Sequence, residues 1–302
     1  MGGSTFPIPA GEGGTKVYYD TIFQLDISSS GYSRWVQLKQ KLPQPMAEGT
    51  GVQLDKGALL IGGSGPDKLL NKVYQADWDE VNSTIRFKQL PHLPVACSYP
   101  AAAVWQGKIY VAGGDGGNGG LHSFISLDPD EKNSTWMNLP AWPGPKRFGA
   151  ILEVLSDGDQ EYLYLFSGKT ESTNPRSQDN YLKDAYRFDP ISKTWLRLRD
   201  MPRAALIGVP GKLNRNMLAI FSGSDGHNID KLDELGSAYR LPKDILVYDA
   251  RTDTWRTGGE MPVGLIGVPL LKTDSGFILA SGEFSPGLRS AAVYRITVEV
   301  ED

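Results

Sequence analysis

Residues 163–168 read "LYLFSG", an apolar run that ends in a pair of small residues. The chain contains six such small pairs, and their second members are Gly3, Gly63, Gly114, Gly168, Gly223 and Gly282. Successive second members are 60, 51, 54, 55 and 59 residues apart. A period of this length is too regular for chance and indicates a chain built from about six copies of one structural unit.

Three further features recur in the same order after the small pairs. Short β-like runs end in an aspartate at Asp26, Asp77, Asp128, Asp189 and Asp249. An aromatic residue then opens another alternating run, at Trp35, Phe87, Trp136, Trp195 and Trp255. A proline follows at Pro43, Pro91, Pro140, Pro202 and Pro262. Each unit therefore holds about four short strands, which is typical of a β-propeller blade.

The sequence thus predicts an all-β fold, a six-bladed β-propeller that forms a single domain over residues 1–302. The diglycine, the Tyr/Phe-x-Asp and the Trp resemble the kelch repeat. With strands a to d counted from the centre outwards, strands a and b of the first blade and strand d of the last are missing. We therefore expect an N-terminally incomplete propeller, with roughly 40 to 60 further residues upstream of Met1 that could include a signal peptide.

Composition narrows the classes of function. A net charge of −4, without blocks of like charge, argues against nucleic acid or an anionic membrane surface as partner. A single cysteine, Cys97, excludes an internal disulfide and a cysteine-rich zinc site. No apolar run is long enough to span a membrane, and residues 1–14 lack the features of an export signal. A homo-oligomer is compatible with the sequence but is not established by it.

The strand order assigns the loops to faces. Because successive strands reverse direction, the b-to-c and d-to-a connections emerge on one face and the Asp-to-Trp turns on the other. The b-to-c connections are long at 3–20, 168–184 and 223–243. Long loops on a rigid scaffold commonly carry binding and catalysis, so this face is the predicted functional face.

The last blade places a carboxylate and a guanidinium on that face. "GEFSPGLRS", residues 282–290, follows the small pair with Glu283, turns at "SPG", and returns with Arg289. In the sister repeats we expect glycine, serine or lysine at the position that Glu283 occupies, directly after the small pair. The pair has two interpretations: an inert surface ion pair worth about 0–1 kcal/mol, or a base beside an anion receptor.

The same segment resembles the G-E-x-x-P-G-x-R motif of the bacterial N-acetylneuraminate epimerases, or sialic acid mutarotases, which are six-bladed kelch-type propellers. The opening "GGSTFPIPAGEGGTKVYYDTIFQLD", residues 2–26, resembles the first loop of their cyclically permuted relatives. Thr5 departs from the asparagine usual there. The resemblance covers both ends of the chain and the repeats between them.

The resemblance implies a mutarotase that interconverts the α and β anomers of N-acetylneuraminate, a small-molecule sugar acid. By resemblance Glu283 is the general base and Arg289 the ligand of the substrate carboxylate. Uncatalysed mutarotation is already feasible, so no metal or redox cofactor is expected. The family resemblance also points to the periplasm.

Five weaker substrate-binding candidates lie on the predicted functional face. Arg147 reaches the central funnel or covers a blade edge. Glu12, Lys16 and Tyr18 line the pocket or only hold the opening loop. Asn228 binds sugar hydroxyls or is a turn residue, the usual role of asparagine after a glycine-rich turn.

Two other classes of function fit the same fold. A non-catalytic kelch module would bind a protein partner through these loops, and a sugar-acid lectin, or an epimerase for another keto sugar acid, would use the same funnel. A metal site is not expected, because His92, His122 and His227 lie far apart in the repeat and "SDGDQE", residues 156–161, lacks calcium-ligand spacing.

Overall fold

The structure is a computed structural model that describes residues 1–8, 13–27 and 33–298. The chain divides into two compact units, Met1–Ser98 and Tyr99–Asp302. In the described residues no helix is long and apolar enough to cross a membrane. A single domain over residues 1–302 stays a prediction.

The described residues of the first unit form three antiparallel sheets. Strands β1 and β2 form one, β3 and β4 another, and β5–β8 a four-stranded sheet in sequential order. The strand bounds are β1 Ser4–Thr5, β2 Val17–Tyr18, β3 Thr21–Ile27, β4 Ser33–Lys41, β5 Thr50–Leu54, β6 Gly57–Ile61, β7 Val73–Asp79 and β8 Thr84–Gln89.

The second unit contains three four-stranded sheets, a three-stranded sheet and a small hairpin. The first two sheets are formed by β9 Ala101–Trp105, β10 Lys108–Ala112, β11 Phe124–Leu127, β12 Met137–Leu139 and by β13 Ile151–Ser156, β14 Glu161–Phe166, β15 Ala185–Asp189, β16 Thr194–Arg197. The third is formed by β17 Val209–Lys212, β18 Met217–Phe221, β19 Asp244–Asp249 and β20 Thr254–Glu260. Next come β21 Leu270–Thr273, β22 Gly276–Ala280, β23 Glu283–Ser285, β24 Leu288–Arg289 and β25 Val293–Thr297, of which β21, β22 and β25 form one sheet and β23 and β24 the hairpin.

Within residues 1–8, 13–27 and 33–298, helical structure is confined to short segments of the connections. Three 3-10 turns lie at Gln178–Asn180, Ile229–Lys231 and Gly236–Ala238, and one short helix, α1, at Leu232–Leu235. The prediction of an all-β protein with a β-propeller fold is confirmed. Five sheets have three or four strands in the order of a blade, and β3 with β4 corresponds to strands c and d of a further blade. Six blades remain a prediction.

The small pairs have one backbone conformation in every repeat. The first member has φ between 57° and 67° and the second between 92° and 122°, and Gly2 and Gly3 share these values with the later pairs. Glycine adopts such angles without steric cost. Close packing adds a second reason, because a Cβ at Gly63 would lie 2.4 Å from the carbonyl oxygen of Ala47. Gly2-Gly3 is therefore a true member of the repeat.

In four repeats the residue after the small pair is hydrogen-bonded to the d-to-a connection. Ser64 pairs with Ala47, Lys169 with Phe148, Ser224 with Leu206, and Glu283 with Ile266. The b-to-c and d-to-a connections thus meet at one end of their sheets, as the strand order predicts.

In one repeat the strand end and the turn lie two residues later than the sequence predicts. The strand predicted to end at Asp77 continues to Asp79, whose Oδ1 accepts hydrogen bonds from the amides of Val81 and Asn82 at 3.1 and 3.2 Å. Asp79 pairs with Thr84 as Asp189 pairs with Thr194. The assignment of Asp77 and Phe87 to the repeat positions was wrong by two residues, because an alternating strand looks alike at both offsets.

The core lies between successive sheets and is strongly aromatic. Trp195 of β16 packs against Phe124 of the preceding sheet at 5.0 Å between ring centroids, and its Nε1 donates to the Pro140 carbonyl at 2.7 Å. Trp255 of β20 packs likewise on Phe166 at 5.4 Å. Burying a large apolar side chain contributes about 1.5–3 kcal/mol. The repeated tryptophan therefore joins each of these sheets to the one before it.

Candidate active site

Glu283 and Arg289 face each other across the hairpin formed by β23 and β24. Their Cα atoms are register partners, and Nη2 of Arg289 lies 3.0 Å from Oε2 of Glu283. The turn between them contains Gly287 with φ of 77°, and its amide donates to Oε1 of Glu283 at 3.3 Å. Pro286-Gly287 suits such a turn because proline fixes φ before a glycine that takes the left-handed conformation.

The backbone around Glu283 is fixed on two sides. Glu283 and Ile266 exchange both backbone hydrogen bonds, at 2.9 and 3.0 Å, and the amide of Ser290 donates to the Gly282 carbonyl at 2.8 Å. Gly282 has φ of 122°, and a Cβ there would lie 2.6 Å from Cγ2 of Val268. A side chain at position 282 would therefore clash with Val268 and strain the backbone next to Glu283.

The pair is accessible from solvent. The Glu283 side chain is 21% exposed and that of Arg289 is 30% exposed. A carboxylate in this setting can accept a proton from a ligand hydroxyl, and a guanidinium can donate two parallel hydrogen bonds to a ligand carboxylate. The sequence prediction that the two groups meet agrees with this geometry, whereas their roles in catalysis and binding stay predictions.

The residue that follows the small pair, which is Glu283 in the last blade, differs among the repeats. The position is occupied by Ser4, Ser64, Asp115, Lys169, Ser224 and Glu283, so the reading of glycine, serine or lysine in the sister repeats overlooked an aspartate. Asp115 pairs with Gly120 and accepts a hydrogen bond from the amide of Gly117 at 2.8 Å. A carboxylate opposite an arginine is therefore a feature of the last blade.

Arg147 is fully buried, with none of its side chain exposed. Its guanidinium donates to both carboxylate oxygens of Asp184, at 2.7 and 2.6 Å, and to the Ser167 carbonyl at 2.8 Å. It also lies over the rings of Trp142 and Tyr186, at 5.4 and 5.6 Å from their centroids. These contacts use its charge inside the protein and favour a structural role, and a role in substrate binding stays a prediction.

Asn228 is a turn residue with φ of 57° that precedes the 3-10 turn Ile229–Lys231. Its carbonyl accepts a hydrogen bond from the amide of Lys231 at 3.0 Å. This is the second of its two predicted interpretations, and sugar binding by its side chain stays a prediction.

The remaining predicted residues belong to the first unit. The Lys16 ammonium forms an ion pair with Glu48 and lies 5.4 Å from the centroid of the Tyr18 ring. Tyr18 pairs with Ser4 in the register that Arg289 has with Glu283. These contacts hold the opening loop, and a role in substrate binding is a prediction. Glu12 lies outside the described residues.

Sequence reasoning missed a polar cluster in the second unit. Lys169 lies 5.1 Å from the centroid of the Tyr181 ring, and Ser224 lies near the hydroxyls of both Tyr181 and Tyr239. Lys169 and Ser224 stand at the repeat position of Glu283. This shared repeat position could have identified Lys169 from the sequence, because a lysine was already recognised at the position of Glu283.

Two other features bear on ligands. A cavity of about 200 Å³ is lined by residues that include Met261, Tyr294 and Ile296, and its lining does not include Glu283 or Arg289. Across the described part of the chain, no group of three or more His, Cys, Asp or Glu side chains is placed to hold a metal ion.

Comparison with known proteins supports the resemblance read from the sequence. A family model described as N-acetylneuraminate epimerase matches residues 90–235, which do not include Glu283 or Arg289. A protein of Yersinia enterocolitica named N-acetylneuraminate epimerase is 29% identical over 235 residues, which cover 69% of this chain and 57% of that protein. A protein of the same name from Haemophilus influenzae is 27% identical over 228 residues, covering 68% and 58%.

The chain thus matches a little more than half the length of these curated relatives. Among solved structures, that of YjhT is similar with a TM-score of 0.56 and 23% identity, covering 68% of this chain and 64% of that one. At this identity the likeness concerns the fold alone. The resemblance to the N-acetylneuraminate epimerases that the sequence predicts is confirmed.

Proposed function

We propose that this chain, which resembles the N-acetylneuraminate epimerases, interconverts the α and β anomers of N-acetylneuraminate. The names of its relatives support the substrate and the type of reaction. The observation that carries the proposal is the Glu283–Arg289 pair, because it combines a proton acceptor and a carboxylate ligand on one hairpin.

The reaction needs only proton transfers. Glu283 takes the proton of the C2 hydroxyl, the bond between C2 and the ring oxygen breaks, and the ring oxygen receives the bonding electrons and a proton from solvent water, which reaches the partly exposed pair. The open-chain keto acid then rotates and closes on the other face of C2, which reverses each transfer. A positioned general base contributes roughly 10²- to 10⁴-fold. No electron is gained or lost in any step.

Arg289 sets the orientation of the substrate. Its guanidinium donates bidentately to the C1 carboxylate, which is bonded to C2. Because Arg289 already lies 3.0 Å from Glu283, a carboxylate bound to it brings the C2 hydroxyl close to the base. Both groups are partly exposed, so an incoming ligand can reach them without unfolding the hairpin.

The experiment measures anomer exchange of N-acetylneuraminate by NMR with the purified chain. The proposal predicts exchange faster than the uncatalysed rate at the same pH and buffer concentration. A panel of 2-keto sugar acids in the same assay identifies the preferred sugar. Calorimetry in parallel measures binding and separates the outcomes. Binding without faster exchange favours a lectin. The absence of both binding and faster exchange contradicts the proposal and favours a protein-interaction module.

A further inference from the structure

Lys169 occupies the same repeat position as Glu283, two sheets earlier in the same compact unit. It is the first residue after its small pair, and its amide and carbonyl form hydrogen bonds with Phe148 at 2.9 and 3.0 Å. Glu283 is held in the same way by Ile266. The side chain of Lys169 therefore starts from the end of the sheets that carries Glu283.

The Lys169 ammonium is partly buried and has few partners. Its Nζ lies 5.1 Å from the centroid of the Tyr181 ring and 3.3 Å from the Pro175 carbonyl oxygen. No carboxylate of the described residues forms an ion pair with it, although the charge of Glu171 acts on it. Burial lowers the pKa of Lys169 below its ordinary value, and the charge of Glu171 opposes that shift. Its hydrogen-bonding capacity is thus mostly unused.

Buried hydroxyls extend from Lys169 towards the next sheet. Ser224 lies near the hydroxyls of Tyr181 and Tyr239, two residues that are 9% and 2% exposed. The Tyr181 ring packs on Gly226, where a Cβ would lie 2.4 Å from it. These contacts fix the tyrosine ring on which the Lys169 ammonium lies.

Backbone contacts continue from Ser224 to the candidate base. The amide of Gly223 donates to the Leu265 carbonyl at 3.3 Å, and the next residue, Ile266, is the backbone partner of Glu283. Lys169, Ser224 and Glu283 therefore lie along one continuous rim of the second unit, at successive sheets.

We propose that Lys169 is a further substrate-binding residue of this rim and donates hydrogen bonds to uncharged oxygen atoms of the sugar acid, at the end remote from its carboxylate. This inference rests on the proposed function. Arg289 is assigned to the carboxylate, and an ammonium two sheets away meets the exocyclic hydroxyl or acyl oxygens. A lysine offers three donors for such oxygens, and a hydrogen bond from a charged donor is stronger than one between neutral groups.

The test compares Lys169→Gln with the wild-type chain on two ligands, N-acetylneuraminate and a 2-keto sugar acid that lacks the three-carbon exocyclic chain and the acyl group. For the full sugar we expect Kd and KM of Lys169→Gln to rise roughly 10- to 100-fold while kcat changes little. For the shorter sugar Kd and KM should be the same as in the wild-type chain. Lys169→Arg keeps the charge and should restore most of the affinity. Lys132→Gln, which removes an exposed lysine from an Asp-to-Trp turn, is the matched control and should bind like wild type.

A pH series adds a readout that a purely structural role would not change. Since the ammonium loses its charge as pH rises through its lowered pKa, wild-type Kd should rise at alkaline pH, and the Kd of Lys169→Gln should stay flat there. Unchanged affinity of Lys169→Gln, or equal losses on both sugars, would overturn this inference and leave the proposed function standing. A wild-type chain that neither binds nor exchanges either sugar contradicts both proposals.

Discussion

Arg147 and Arg203 bring their guanidinium groups to equivalent carboxylates from different positions in their loops. Arg147 lies two residues before the left-handed Gly149, whereas Arg203 lies four residues before the left-handed Ile207. Arg147 binds Asp184 and the Ser167 carbonyl. In the next sheet Arg203 binds Asp244, at 2.8 Å, and the Ser222 carbonyl, at 3.2 Å. The carboxylate at the start of the third strand is thus neutralised in two successive repeats.

Removing Asp184 should strongly destabilise the fold. In Asp184→Ala the fully buried Arg147 loses its counterion, and an uncompensated buried charge costs about 3–5 kcal/mol. Asp244→Ala is the matched control, because the side chains of Arg203 and Asp244 are 14% and 31% exposed and water can replace the lost partner. Urea unfolding of both variants measures the difference. An equal decrease in the free energy of unfolding of the two variants would contradict an additional cost of burying the unpaired charge of Arg147.

Arg289→Met should weaken substrate binding. The variant loses the bidentate contact with the substrate carboxylate, so we expect KM for anomer exchange to rise roughly 10- to 100-fold. Arg289→Lys keeps the charge but not the fork of donors, and its KM should lie between the two. Arg295→Met, which removes an exposed arginine from β25, is the control. Wild-type KM in Arg289→Met would show that this guanidinium does not bind the substrate.

Glu153 should make stability depend on pH. Burial raises the pKa of Glu153 to about 6 from a value of 4.5, while the charge of Lys212 opposes the shift. The folded state therefore binds this proton more tightly than the unfolded state. The stability that protonated Glu153 contributes is fully present below pH 4.5 and is lost as pH rises through about 6.

Glu153→Gln should remove this loss. The shift corresponds to about 2 kcal/mol at neutral pH, so the variant should be more stable than wild type by up to that amount at pH 7.5. At pH 4 the two proteins should be alike. Urea denaturation at both pH values measures the change, and a variant that is equally or less stable at pH 7.5 would refute the assignment. Glu131→Gln, at an exposed turn position, controls for the lost charge.

Much of the fold could be predicted from the sequence because its signals are local. A small pair must adopt a conformation that favours glycine, and an alternating strand shows its period within a few residues. The Asp79 correction shows the limit of such signals. An alternating strand carries no mark of its own length, so an offset of two residues preserves the pattern and moves the turn.

The candidate site was less predictable, because its contacts depend on distant residues. Glu283 and Arg289 share one hairpin, so their pairing could be predicted from a turn of a few residues. Arg147 and Asp184 are separated by 37 residues, and nothing in the local sequence shows that they meet. The polar cluster around Ser224 likewise joins loops of different sheets, through Tyr181 and Tyr239.

The most direct test of the central claim is the anomer exchange rate of N-acetylneuraminate with Glu283→Gln, measured by NMR at saturating sugar. The account predicts a rate roughly 10²- to 10⁴-fold below that of the wild-type chain, with sugar affinity retained because Arg289 is still present. Glu131→Gln serves as the control and should exchange at the wild-type rate. A Glu283→Gln chain that exchanges the anomers as fast as wild type would contradict the account.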